Sequence, residues 1–393
     1  MKGLLVYSAS EVSRYFLMGL VLILVMPSVA LSEVFTPNSD GFVVLKLTKT
    51  INSPDYTRLQ QLQKAYQKQP DETNALILVK HLLYLASQTA DPRFYDMAKT
   101  LIESKDSRFN QPEWLFYHAK VLQFHHQFAG ALQRLDQLLT INKNHLEARM
   151  MTISLLITTG EISQISNECQ FLYQNHKYRY AEICAILLKA YSLPSASAHQ
   201  LLQHYATDVA QANGLSASMR AWALSVFAEI ASYHGKNATA ESFYRMAIDI
   251  NPQANYLKIN LIDTLLMQKK FNEAEAWLDP ASTDVPQLIR LIYIQKKLHK
   301  TINQHQLDTL ENIFKLLEER EDRRHLREQA LYAWWIQEDP ERALGFAQAN
   351  WATQREFIDR IILYSVAMKL NDKSVLQLMN DWTNSQSLSQ EVL

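Results

Sequence analysis

An all-α fold, built by stacking antiparallel helix pairs into a superhelical solenoid, is predicted by three features of this 393-residue chain. The first is a repeated interval. Asn237 and Ala240 are followed 34 residues later by Phe271 and Ala274, Phe128 and Ala131 by Ile162 and Ile165 at the same spacing, and Ala343 lies 69 residues past Ala274, about two intervals on. A period near 34 with small residues where two helices must approach closely marks a helix-turn-helix array. The second is composition: Gly is only 8 and Pro only 11, while Leu, Ala, Gln and Glu are plentiful, which favours long helices over strands or disorder. The third is where the prolines fall. Ser53-Pro54, Asp91-Pro92, Asn251-Pro252 and Asp339-Pro340 all sit where a helix can start or stop.

The N-terminal segment reads as a leader. Lys2 and Arg14 precede an apolar run from Tyr15 to Met26, Pro27 breaks it, and Ser28-Val29-Ala30 offers the small residues a signal peptidase accepts, so residues 1–30 are expected to be removed on export. The alternative is an uncleaved inner-membrane anchor over Tyr15–Leu31, at the short edge of the roughly 17–25 residues that span a bilayer. Residues 31–52 lack helical period and read as an extended arm. A first helix follows from Ser53, the solenoid is expected over 53–384 in roughly nine pairs, and 385–393 form a tail. Gly160 and Gly235 fall between paired helices, where a left-handed residue ends the first helix with least strain. The stretch 199–218 departs furthest from the period and is where a break in the array is expected.

These spacings resemble the tetratricopeptide repeat family. The residues that carry the resemblance are small or apolar ones in the first helix (Leu224, Ala228, Ala231), an aromatic or Asn opening the second (Phe128, Asn237, Phe271), its Ala (Ala131, Ala240, Ala274), the late Ala247 and the closing Pro252. More narrowly, ADPRFYDMA, QPEWLFYHAKVLQFHHQFAGALQRLDQLL and the cysteine pair are similar to exported bacterial repeat proteins that accompany a membrane protein of the HupE/UreJ type. The resemblance implies a scaffold that binds a protein partner and performs no covalent chemistry.

Function is therefore sought on a surface. In such arrays the first helices line the concave face, and their exposed sides here carry Phe116 and Lys120, Met150, Trp222 and Tyr233, Tyr256, Asp263 and Met267, and Tyr332 and Trp335. Exposed aromatics and Met give large contact at low entropy cost, as peptide-binding surfaces require. The competing expectation is that several of these pack under a capping helix or the N-terminal arm. Family members that clamp a C-terminal carboxylate use Lys and Asn on adjacent first helices. Lys258 and Asn260 are present, but Trp222, Val226 and Glu229 stand where the preceding unit would have to hold an anion, so that clamp is not expected.

Formal net charge is −1 with no long run of one sign, which lacks the footprint of a nucleic-acid binder. No Gly-rich phosphate loop, H-E-x-x-H, C-x-x-C or G-x-S-x-G occurs, so neither an enzyme site nor a cofactor or small-molecule substrate is indicated. Two rival readings stay open: an envelope polysaccharide or lipid assembly factor, and a metal-binding accessory to a membrane transporter with His118, His125 and His126 as ligands. The His spacing does not suit level ligands one helical turn apart, and no carboxylate or thiol is close in sequence. Cys169 and Cys184 lie on facing helices of a predicted hairpin in the exported part, where an oxidising compartment favours a disulfide; two buried thiols are the alternative.

Overall fold

The computed structural model describes residues 54–89, 91–104 and 111–385, all within one compact unit. The leader, the arm at 31–52 and the tail beyond 385 lie outside the described residues. Among the described residues there is no strand, and the expected solenoid of stacked antiparallel helix pairs is what forms. Helix α1 (Pro54–Lys68) leads into nine pairs: α2/α3 (Glu72–Thr89, Pro92–Glu103), α4/α5 (Pro112–Phe124, Phe128–Ile141), α6/α7 (Leu146–Thr159, Ile165–Gln174), α8/α9 (Tyr178–Ser192, Ser195–Ala210) and α10/α11 (Ala217–Tyr233, Asn237–Ile250) come first. Then follow α12/α13 (Asn255–Met267, Phe271–Glu275), α14/α15 (Val285–Lys297, Gln304–Glu319), α16/α17 (Leu326–Leu331, Pro340–Trp351) and α18/α19 (Phe357–Leu370, Lys373–Ser385). No described helix is long and apolar enough to cross a membrane.

The small residues of the repeat sit where the paired helices cross. Ala119 and Ala131, and Ala228, Ala240 and Ala247, are fully buried, letting backbones approach while Phe227 and Phe243 fill the seam edge to face at 6.2 Å. One turn is used again and again to reverse the chain. In six pairs a left-handed residue (His126, Gly160, Gly235, Lys269, His299, Asn371) follows the first helix. The next residue's N–H then bonds back five residues, as in Gln127 N–H to Leu122 O (2.9 Å), Lys236 to Ala231 (2.8 Å) and Lys270 to Leu265 (2.9 Å). Only two of the six are glycine, so four pairs carry a side chain in a conformation L-residues disfavour.

Cys169 on α7 and Cys184 on α8 are joined, with Cα atoms 5.4 Å apart across a sequence separation of 15. In the chain-entropy account such a loop contributes about 3 kcal/mol.

The stretch 199–218 carries no break. Its first part belongs to α9, whose Leu202, Ala206 and Val209 are buried in the same apolar cluster as α8 and α10, and the extra length is spent on a turn at Gly214. The core divides on either side of this stretch: upstream lie separate clusters from Leu59 to Val121 and from Leu115 to Leu155, and downstream, within α14, Leu291 and Ile294 join the cluster that begins at Met150 whereas Leu288, Ile289 and Ile292 join the one that ends at Met379. Just beyond, α16 continues as a π-helical turn over Tyr332–Gln337, and Lys296 caps it by donating to Ile336 O (3.0 Å) and Glu338 Oε1 (2.7 Å). Wide turns of this kind need outside donors because their own ladder is poorer.

The superhelix closes on itself. Arg355 N–H donates to Thr158 O at 2.7 Å, Thr158 Oγ1 donates to Glu356, the His126 ring meets Gln354 at 3.0 Å, and Arg324 reaches Asp96 at 3.3 Å. These contacts bring the last two pairs against α3, α4 and α6. Gly160 is the tightest point, since a Cβ there would stand 2.8 Å from the Trp382 ring.

A pocket on the concave face

The return of the last pair turns an open channel into a cavity of about 380 Å³. One wall is made by α10 and α12 through Trp222, Val226, Glu229, Tyr256, Asn260 and Met267; α6 contributes Ser154 and Ile157; the opposite side is Arg327 from α16 and Glu356, Phe357 and Ile358 at the start of α18. Local sequence explains why that start is so polar. Glu356 and Asp359 form a reciprocal capping box in which Asp359 accepts from Glu356 N–H (3.1 Å).

The charges do not balance. Arg327 donates to both Asp359 oxygens, at 2.6 and 2.7 Å, and also to Glu356. Asn350 donates to Asp359 (2.8 Å), while Gln354 (3.0 Å) and Thr158 (3.1 Å) donate to Glu356. Glu229 accepts the Phe357 N–H at 3.2 Å and has no cationic partner among the described residues. One guanidinium thus stands among three neighbouring carboxylates and pairs with two of them. Burial, reinforced by the Glu356 charge, pushes the Glu229 carboxyl up to about 8. Burial also pushes Asp359 up to about 6. At Glu356 burial works the same way, but Arg327 together with the Gln354 and Thr158 donors outweighs it and holds the group below the usual carboxylate range.

Of the predicted groove residues, Trp222, Tyr256 and Met267 are brought together on this pocket, with Tyr256 47% exposed at its mouth. Asp263 also lines it, but its carboxylate is bound by Arg290 through two 2.6 Å bonds and both groups are buried, so it is a structural ion pair rather than a free ligand. Met150 and Tyr233 do not face an open groove: Met150 is in the core, and Tyr233 is covered by Arg360, whose guanidinium lies 4.3 Å from the ring centroid. Tyr332 is likewise buried, stacked on Phe314 at 4.4 Å, and Trp335 stacks on Tyr293 at 4.3 Å. Phe116 and Lys120 stay near the surface of α4, beside Tyr117 and His145 and outside the pocket. The cause differs from place to place. At Tyr233 it is the return of α18, which brings Arg360 over the ring; at Tyr332 and Trp335 it is instead the adjacent helices α15 and α14.

His118, His125 and His126 do not converge. His118 is buried within α4, His125 approaches Asp96 at 3.7 Å, and His126 meets Gln354; among the described residues no group of three His, Cys, Asp or Glu gathers to hold a metal ion. Sequence reasoning missed Arg327, Glu356, Phe357 and Ile358, which enter the site from about 100 to 130 residues beyond Glu229. The one local signal was the acidic pair three apart at Glu356 and Asp359, which marks a helix start and not a pocket.

Comparison with known proteins gives matches of low similarity only. No protein-family model and no curated protein matches the sequence. Among solved structures, a tetratricopeptide repeat protein from Parabacteroides merdae is 12% identical over 80% of this chain and 92% of its own, with a TM-score of 0.29. PilF of Pseudomonas aeruginosa is 13% identical over 67% of this chain and 93% of its own (TM-score 0.27), and a chain of the Cut9–Hcn1 assembly is 16% identical over 78% and 65% (TM-score 0.35).

Proposed function

We propose that this protein is a non-enzymatic scaffold of the bacterial envelope, exported by its N-terminal leader, that holds a segment of a partner protein on its concave face. The observation that carries the reading is the preformed pocket, in which Trp222, Tyr256 and Met267 stand at an accessible opening and need no rearrangement to receive a side chain. Its volume lies at the small end for ligand sites, suited to one or two anchoring side chains of an extended peptide. The disulfide between α7 and α8 supports an oxidising compartment. The resemblance to repeat proteins that accompany a HupE/UreJ-type membrane protein makes such a protein the first partner to try.

A photo-crosslinking residue placed at Asn260, inside the pocket, provides the test. In membranes it is expected to capture a defined protein, and Trp222→Ala plus Tyr256→Ala is expected to abolish that capture. Undiminished capture by the double variant would remove the groove assignment. The compartment is checked separately: mature protein recovered by osmotic shock is expected to begin at Leu31, and recovery with intact Met1 only in membranes would favour the anchor.

A further inference from the structure

The imbalance of charge in the pocket identifies its guest more closely. Resting on the reading of the concave face as a peptide site, we propose that the partner segment inserts an arginine or lysine side chain between Trp222 and Tyr256 and pairs its cation with Glu229. Three independent features converge on a cation. Glu229 is the pocket carboxylate without an ion-pair partner, because Arg327 is already engaged by Asp359 and Glu356 and Arg290 by Asp263. The aromatic walls on the same side, Trp222 and Tyr256, offer ring faces that attract a guanidinium or ammonium. Among the described residues Arg327 is the one lysine or arginine that lines the pocket, and the surrounding Ser154, Ser225 and Asn260 are neutral.

The titratable and charged groups facing Glu229 are Glu356 and Asp359 of the α18 start, Arg327 of α16, Tyr191 of α8 and Tyr244 of α11; with the Phe357 N–H they leave it short of positive charge. A single incoming cation completes the cluster at two cations to three carboxylates. An anionic guest would meet three carboxylates behind one committed guanidinium, a desolvation loss with no return.

The arrangement has a proton signature. Unliganded, Glu229 holds its proton to about pH 8; a paired cation favours the ionised form, so binding releases a proton. Affinity for an arginine peptide therefore falls as pH drops below about 8, and an arginine guest does not itself titrate in that range.

The experiment is selection of a displayed random decapeptide library on the full mature protein and on Glu229→Gln. The amide keeps the acceptor for Phe357 N–H and matches a side chain already protonated at neutral pH, so the variant is expected to fold. On the parent, Arg or Lys is expected to be enriched about tenfold at one position, and Glu229→Gln is expected to erase that enrichment while leaving the flanking apolar preference. Calorimetry of the best synthetic arginine peptide is expected to give about tenfold weaker binding at pH 6.5 than at pH 8, with no pH dependence in the variant. Peptides selected without a basic position, or a basic preference unchanged in Glu229→Gln, would overturn the cation proposal and leave the groove reading standing. Peptides that bind Trp222→Ala plus Tyr256→Ala as well as the parent would sink the groove reading itself.

Discussion

At neutral pH Glu229 keeps its proton, and this has a price in stability. Its folded pKa of about 8 is raised above the ordinary glutamate value, so the folded state binds the extra proton and stability is lost as pH rises toward 8. His125 and His126 act oppositely. Burial depresses both, so their contribution is lost as pH falls below the free-histidine value near 6.5. The thermal midpoint is therefore expected to peak close to pH 6.5, to fall toward pH 8, and to become flat over pH 6.5–8 in Glu229→Gln, which differential scanning calorimetry reads directly. A midpoint that climbs steadily to pH 8 in the parent would contradict the buried, protonated carboxyl. Trp222 and Glu229 could be named from sequence because the repeat period puts them on one face of α10. Asp263 shows the limit, since nothing near it announces that Arg290, 27 residues on, takes both its oxygens.

The pairs themselves were the most readable level. Ala228, Ala240 and Ala247 fix a crossing, Pro112 and Pro340 open helices, and Gly160 and Gly235 close them, so local chemistry and architecture agree. The shared reversal is hidden at Lys269 and His299, because glycine and asparagine are the residues that advertise a left-handed helix end. Both are exposed. Lys269→Gly is accordingly expected to stabilise by about 0.5–1 kcal/mol, relief of left-handed strain minus the entropy glycine adds to the unfolded chain. Gly160→Ala is expected to go the other way by about 1–3 kcal/mol, since the same φ is strained and its Cβ would strike Trp382. Chemical denaturation of the two variants, with opposite shifts of midpoint, checks the assignment. The π turn at Tyr332–Gln337 had no sequence signature, for it depends on Lys296 from another helix supplying donors to its carbonyls.

For the molecule as a whole, the interval of 34 residues foretold the stacking but could not say how far the superhelix winds. That depends on small rotations summed over nine pairs, and on contacts between residues about 200 positions apart such as Thr158 with Glu356. Hence the interval alone predicts an open groove and says nothing of Arg327, Glu356, Phe357 and Ile358, which seal part of it. Arg327 is the cation that reconciles the acidic start of α18 with the concave wall, and it sits half-buried among its partners. Arg327→Gln is expected to loosen the last pair, α18 and α19, from α16 without melting these helices: helical circular dichroism is retained while the radius of gyration in small-angle scattering rises. An unchanged scattering curve would show that apolar packing around Trp382 suffices to hold them.

The latch of Thr158 and Gly160 onto Arg355 and Trp382 also alters how the protein comes apart. A linear stack contacts only nearest neighbours, and its outermost units fray first. Here the C-terminal units are pinned to the middle, so opening at that end must also break contacts with α4, α6 and α10. Slowly exchanging amides should accordingly extend through α18, and protection there should rise and fall together with that of α10, so that a terminal segment behaves as an interior one.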